Sequence, residues 1–265
     1  MRGFNRWTLV IPTALSLWPE PSQQLEYTCR VSMATTDAKG KVTPQPPIVA
    51  RTVVRGDSAR ADIVEGMGDF KTGDSFLTYD GGKTLYIVSA AKRQYSVVPL
   101  DSMAAQLAGA LGRSPVKLKA DSSTAGFERG PADSVAGVLT DRVRVSRGFR
   151  LTIQALIFKK RIATRETLDL WLSRELGPMP NPVGALFMAM ADAPSHANAD
   201  LSRRMTAIND SVGTGAPLKV VHRLLTGTGD DVTTTVTTIE VSNLSVGRPN
   251  ALRFEVPQGF RRVEK

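Results

Sequence analysis

Residues 24–35 read QLEYTCRVSMAT, and this stretch decides the fold class. Its apolar side chains occupy every second position, at Leu25, Tyr27, Cys29, Val31 and Met33. Because successive side chains of a β-strand point to opposite faces, this period of two predicts a strand with one face on a core. The same period returns along most of the chain that follows.

Further strands are predicted on either side of short turns. In the turn Asp80-Gly81-Gly82-Lys83, the glycines accept the positive φ that tight hairpins need. The other predicted strands cover residues 48–55, 59–65, 76–79, 84–90, 94–99, 116–120, 135–147, 149–153, 165–172, 218–225, 232–241 and 253–256. Short connections make consecutive strands antiparallel. In strand 232–241 the apolar phase slips between Val236 and Ile239, which predicts a β-bulge.

Three segments change to a helical period. Residues 101–111 and 200–208 place apolar side chains three and four positions apart, and Asn181-Pro182 forms a favourable N-cap and first-turn pair for a third helix. The simplest arrangement that buries the apolar side chains of both the strands and the helices is an α+β fold. It has one large, curved, mostly antiparallel sheet and two or three helices covering one face. No linker divides residues 23–265, so we expect a single domain.

Residues 1–22 have the pattern of a secretory signal peptide. Arg2 and Arg6 precede the apolar run WTLVIPTALSLW at 7–18, which is too short to span a bilayer. We therefore expect a periplasmic or secreted protein without a stable transmembrane anchor. Cleavage after Ser16 and cleavage within residues 18–24 both remain open, and the alternative is the N-terminal helix of a cytoplasmic protein. Cys29 lacks the small preceding residue of a lipid-modified cysteine, so it is predicted to be a packed strand residue.

The chain is basic, with 34 lysines and arginines against 25 acidic residues and a formal charge of +9. Nucleic-acid binding usually adds stacking aromatics or a recognisable reader motif. Neither is present, so no nucleic-acid partner is expected. Lys159, Lys160 and Arg161 are the predicted contacts to an anionic surface, and a merely solubilising charge is the alternative.

The motifs of common active sites are missing from the sequence. His196, expected in a loop, and His222, expected in a strand, have no cysteine, histidine or carboxylate at ligand spacing, so neither a metal nor another cofactor is predicted. There is no Gly-x-Ser-x-Gly motif of a serine hydrolase. We expect a protein that is not an enzyme, although a triad assembled from distant residues stays open.

Methionines and large apolar residues cluster on the predicted helices. Thioether side chains adapt to irregular apolar ligands, so helices lying over a curved sheet are candidates to line a lipid-accepting cavity. Plain core packing is the alternative. The predicted ligand-binding residues are Met103, Leu107, Leu186, Phe187, Met190 and Met205.

Four stretches carry a resemblance to a known group of proteins. They are the strand Tyr27 to Met33, GKTLYIVSAAKRQYSVVPL at 82–100, TRETLDLWLSREL at 164–176 and FEVPQGF at 254–260. Together they resemble uncharacterised secreted bacterial proteins with a LolA-like, lipoprotein-carrier-like half-barrel fold. The resemblance implies a periplasmic location and a sheet wrapped around helices. Relatives of that architecture carry lipoproteins, hold lipids or sense envelope stress, and no catalytic residue comes with it.

These observations favour a non-catalytic envelope protein. We expect a monomer that binds a hydrophobic or amphipathic ligand, such as a lipid or the acyl chain of a lipoprotein, between sheet and helices. The alternative is a sensor or interaction module that docks on anionic lipids or polymers through its basic residues. A hydrolase ranks third.

Overall fold

A computed structural model describes residues 24–103, 106, 117–155, 158–177, 179–196, 199–213, 215–247 and 254–264. The predicted signal peptide lies outside these ranges, as does most of the first predicted helix (101–111), of which residues 101–103 and 106 are described and helical. The other two predicted helices are present, as α1 (Pro182–His196) and α2 (Ala199–Val212).

Fourteen strands form one sheet within the described residues. They are β1 (Gln24–Thr36), β2 (Val42–Pro44), β3 (Ile48–Arg55), β4 (Ser58–Glu65), β5 (Ser75–Thr78), β6 (Thr84–Ser89), β7 (Gln94–Pro99), β8 (Lys117–Arg129), β9 (Asp133–Val135), β10 (Val138–Ala155), β11 (Phe158–Ser173), β12 (Ala216–Thr228), β13 (Asp231–Gly247) and β14 (Arg261–Arg262).

The strands run in the order β14-β7-β6-β5-β4-β3-β1-β13-β12-β11-β10-β8, with β2 beside β1 and β9 beside β10. Every described pairing is antiparallel except the two-residue contact of β14 with β7. The terminal strands β14 and β8 do not pair with each other in the described part of the chain, so the sheet is open. The predicted large, mostly antiparallel sheet is therefore confirmed.

Curvature of the sheet follows from residues that share one cavity. Lys83, in the turn before β6, and Val145, on β10, line the same space of about 400 Å³ beneath α1. Strands β6 and β10 are eight positions apart in the strand order. In a flat sheet with about 4.8 Å per strand they would lie roughly 38 Å apart. The sheet therefore bends around the helix.

The inner face of the sheet and α1 share the main core. On β1, Tyr27, Cys29 and Val31 are buried, in agreement with the alternation of the sequence, and Cys29 is the packed strand residue that was predicted. From α1, Val183 and Leu186 join the same cluster. A smaller cluster forms where α2 covers β10 and β11.

Two details of the predicted strands are wrong. The two stretches 135–147 and 149–153 mostly form one continuous strand, β10, because Gly148 keeps its place in the ladder opposite Arg165. The bulge in β13 lies near Asn243, not between Val236 and Ile239: β13 carries one extra residue between its partners of Glu26 and Thr28, and Asn243 has a φ of 53°. The apolar phase slips earlier because a threonine occupies a buried position there, at 237.

The end of the chain and one helix end also differ from prediction. Residues 254–256 are not in a strand, and the short β14 follows the turn from Pro257 to Phe260 instead. His196 is the last residue of α1, not a loop residue. Helix ends fray and their boundaries vary by one or two residues, so composition alone does not separate a last helical turn from a loop.

Candidate functional site

Helix α1 is fixed over the sheet at its N-terminus by Asn181. The Asn181 Oδ1 accepts a hydrogen bond from the backbone N–H of Gly184 at 2.9 Å, as an N-cap does, and its Nδ2 donates to Sγ of Cys29 at 3.4 Å. The Tyr27 hydroxyl donates to the carbonyl of Pro180 at 2.9 Å. Two neighbouring inward positions of β1 thus set the place where α1 begins.

The main cavity lies between α1, α2 and the inner faces of β10 and β11. Its volume is about 400 Å³, within the usual range for small-molecule sites. Apolar side chains form most of its walls: Leu100, Val145, Leu168, Ala185, Met188, Ala189 and Met205. Lys83, Asp101 and Asn209 add exposed polar groups at its margin. An elongated apolar group with a polar end matches this lining.

A buried ion pair stands in the wall of the cavity. Arg147 on β10 and Glu166 on β11 are direct cross-strand partners. The Arg147 Nε donates to Glu166 Oε2, and Nη2 donates to Oε1 at 2.8 Å. Nη2 also donates to the backbone carbonyl of Ala191 on α1, so the same guanidinium links the sheet to the helix. On the other side, Nε2 of His222 on β12 contacts Glu166 Oε1.

The electrostatics keep Glu166 ionised. Burial by itself would raise the pKa of this carboxyl, but the hydrogen bonds and charges of His222 and Arg147 outweigh it and hold the pKa below its ordinary value. A carboxyl group with a lowered pKa is a poor proton donor near neutral pH. The group is therefore suited to holding Arg147 in place beside the cavity.

A second cavity of about 300 Å³ adjoins the first. The two share Gly81, Ala185 and Met188 as lining residues. The second is lined further by residues around the start of α1 and by inward residues of β12 and β13, including Val220 and Ile239. Met188 thus stands between two apolar spaces, and thioether side chains adapt easily to a neighbouring ligand.

The predicted ligand-binding residues lie in several different places. Met205 lines the main cavity. Leu186 and Phe187 are buried in the main core, Met103 is half-buried against that core, and Met190 is 42% exposed. Leu107 lies outside the described residues. The structure therefore brings Met205 to the cavity, while other residues of the same helices, Met188 among them, form its walls.

The predicted basic contacts Lys159, Lys160 and Arg161 follow one another near the start of β11. They lie close to the hairpin in which Ala155 pairs with Phe158. Arg161 is exposed.

The Arg147–Glu166–His222 cluster was not among the predicted site residues. The sequence does show charged residues at strand positions where the alternation otherwise places inward-facing apolar side chains. Arg147 continues the inward series of Val143 and Val145, and Glu166 shares its phase with Leu168. Opposite charges in the inward phase of neighbouring strands predict a buried ion pair, but the pairing of β10 with β11 must be known first.

The outer face of the same strands holds a second ionic cluster. The Asp169 carboxylate is almost fully buried and accepts hydrogen bonds from three guanidinium groups. Arg144 contacts it at 2.8 Å, and Arg142 and Arg223 each at 3.1 Å. Burial would raise the pKa of Asp169, but Arg144 and Arg142 hold it below its usual value. One negative charge thus meets three positive charges.

Comparison with known proteins identifies no family. No protein-family model matches the chain, and no curated protein matches it significantly. Among solved structures, the complex of Pseudomonas aeruginosa MucA and MucB matches at 10% identity with a TM-score of 0.18, covering 83% of this chain and 89% of that one. A crystal structure of MucB in complex with MucA(peri) matches at 11% identity and a TM-score of 0.18, covering 86% and 92%. Likenesses at such TM-scores support no statement about fold, family or function.

Neither α1 nor α2, nor any other helical segment in the described ranges, is long and apolar enough to cross a membrane.

Proposed function

We propose that this protein is an exported, non-catalytic binding protein that holds one amphipathic molecule in the main cavity. The ligand class is an acyl chain with a polar headgroup, as found in a lipid or in the lipid part of a lipoprotein. The observation that carries the proposal is the cavity of about 400 Å³ whose walls are mostly apolar and which includes one buried ion pair.

The lining suits a chain with two chemically different ends. Apolar residues from the sheet and from both helices can surround methylene groups, and burial of each methylene contributes about 0.8 kcal/mol. Arg147 and Glu166 offer fixed hydrogen-bonding groups at one wall, and Lys83 and Asn209 offer further polar groups at the margin. A few polar groups in an apolar cavity orient a ligand without taking part in a reaction.

Two further observations support the non-catalytic and exported parts of the proposal. The depressed pKa of Glu166 is opposite to the shift that a general acid needs. The positively charged and then apolar start of the sequence, residues 1–18, has the pattern of an export signal. An open antiparallel sheet that bends around a helix also agrees with the half-barrel architecture of lipoprotein carriers.

Native mass spectrometry tests the proposal directly. The full chain is expressed with its own N-terminus in a bacterium, extracted without detergent and measured before and after denaturation. We expect a mass excess corresponding to one bound lipid or fatty acid, released on denaturation. A protein that carries no ligand and takes up none from added fatty acid or lysophospholipid would contradict it.

A further inference from the structure

Strand β8 forms one end of the sheet. In the described residues it pairs with β10 and with no other strand, over a length of 13 residues. Arg129, at the end of β8, donates to the carbonyl of Ser211 on α2 at 2.9 Å, so the strand is attached to the helix layer. A long strand with one unpaired edge presents a row of backbone donors and acceptors to another chain.

The outer face beside this edge is basic. Cross-strand pairing places Gly148 opposite Arg165, and Arg150 opposite Ala163, so the two arginines are diagonal neighbours on one face. Arg161, two residues before Ala163, shares that face. All three arginines are exposed, and among the described residues none of them forms an ion pair. They are available to a negatively charged partner.

A groove of about 710 Å³ follows β8, β10 and β11 beside these arginines. Cross-strand register places most of its lining residues on the outer face, among them Gly126, Gly148 and Ala163. A side chain added at Gly126 would meet nothing within 4 Å. Gly126, opposite Ser146, therefore leaves room on the outer face of β8 for a side chain of a partner. Arg150, opposite Ser122, lies on β10, about 9.6 Å from an added strand.

The inner side of the same edge carries an exposed aromatic ring. Phe127 is 40% exposed, and it lies opposite Val145, whose side chain points inward. A large apolar residue at an open sheet edge forms a favourable cross-strand pair with an apolar side chain of an added strand. The inner side of the edge thus carries an apolar ring. Its outer side adjoins the arginines of β10 and β11, and Glu128 on that side already pairs with Arg144.

We propose that β8 is the docking edge for an extended acidic segment of a partner protein, which adds to the sheet as a further strand. Its alternate carboxylates point outward to Arg150 and into the positive field of Arg165, and its alternate apolar residues point inward beside Phe127. The backbone ladder supplies affinity, and the two side-chain patterns supply specificity. A bilayer surface or a polysaccharide has no amide ladder to match the edge and so uses only part of this surface.

The test uses the full chain and a fluorescein-labelled eight-residue peptide of alternating glutamate and valine. We expect Arg150→Glu to weaken binding at least tenfold and Arg165→Glu to weaken it less, while Arg150→Lys keeps most of the affinity. Arg30→Glu is the matched control, because Arg30 is also exposed but lies on β1, five strands from β8. It should change the dissociation constant less than twofold.

Two further measurements separate strand addition from charge attraction. A peptide N-methylated at every second residue keeps its charge but cannot form the ladder, and it should bind at least tenfold more weakly. Hydrogen exchange should show new protection of residues 122–127 when the unmodified peptide binds. The proposal is overturned if the methylated peptide binds as tightly as the unmodified one. It is also overturned if Arg30→Glu loses as much affinity as Arg150→Glu. Arg150-dependent binding of anionic phospholipid vesicles or dextran sulfate, with no peptide binding, overturns it in favour of a different partner.

Discussion

Arg147 and Glu166 face each other across β10 and β11 as a bidentate ion pair that is almost fully buried beneath α1. Their side chains occupy inward positions of strands that are otherwise apolar there. Burying two charges is costly, and such a pair often stabilises a fold no more than apolar residues of the same size would. The pair therefore fits a role in shaping the cavity wall, through its contact to the Ala191 carbonyl on α1.

Removing one partner of this pair should lower the free energy of unfolding strongly. We expect Arg147→Met to lower the free energy of unfolding by about 3–5 kcal/mol, because the Glu166 carboxylate stays buried without its main counter-charge. The double variant Arg147→Met, Glu166→Leu should recover most of that loss. Denaturation in urea measures both.

The matched control for this series is the exposed ion pair of Arg174 with Asp141, whose atoms lie 2.8 Å apart. Arg174→Met should cost less than about 1 kcal/mol, as exposed pairs usually do. One contradicting result is that Arg147→Met loses no more stability than the control, and the other is that the double variant is as unstable as the single one. Either result would show that the unpaired buried charge does not cause the loss of unfolding free energy at this site.

Stability should fall in acid partly through Glu166. Its folded-state pKa lies below the ordinary value, so its ionised form stabilises the fold above the unfolded pKa of about 4.3 and loses that effect as pH falls through the folded pKa. Between about pH 5 and pH 3, the unfolding free energy of Glu166→Gln should decline less than that of the unchanged protein. Urea denaturation at several pH values measures both slopes, and parallel slopes would refute the assignment.

Asn181 should matter more than an ordinary N-cap. Asn181→Ala removes the acceptor for the Gly184 N–H and the donor to Cys29, and we expect a loss of about 1–2 kcal/mol. Asn181→Ser keeps a capping oxygen and should lose less. Equal losses in thermal or urea denaturation would mean that the cap itself contributes little.

Cys29 should be unreactive in the folded protein. Burial raises the pKa of its thiol to about 11, against about 8.5 for a free cysteine. At pH 8 the smaller thiolate fraction alone should slow alkylation by iodoacetamide more than about a hundredfold relative to the unfolded chain, and burial should slow it further. Mass spectrometry follows the labelling. Alkylation of the native protein at the rate of a free thiol would contradict the position of Cys29 in the core.

Local patterns in the sequence were sufficient to predict most of the sheet. Alternation predicted β1, β3 and β7 nearly to the residue, and Asn181-Pro182 predicted the start of α1, because both signals depend on neighbours within a few positions. The continuous β10 was harder, since Gly148 in mid-strand usually marks an interruption.

The candidate site depends on contacts between distant residues. Glu166 and His222 are 56 positions apart, and they meet only because β11 pairs with β12. Met188 lines the cavity, whereas Phe187 beside it is buried in the core, because consecutive helix residues face different directions. A helical stripe predicts which residues face inward, but not which of them border an open space.

Binding of cis-parinaric acid, a fluorescent fatty acid, to the full chain and to two matched variants tests the central claim most directly. Ala189 lines the main cavity, and Met190, the next residue of α1, is exposed and does not. We predict saturable binding to the unchanged protein, a loss of at least tenfold in Ala189→Phe, which fills the cavity, and less than twofold change in Met190→Phe. The absence of binding to the unchanged protein, or equal binding to a folded Ala189→Phe variant, would contradict a ligand site between the helices and the sheet.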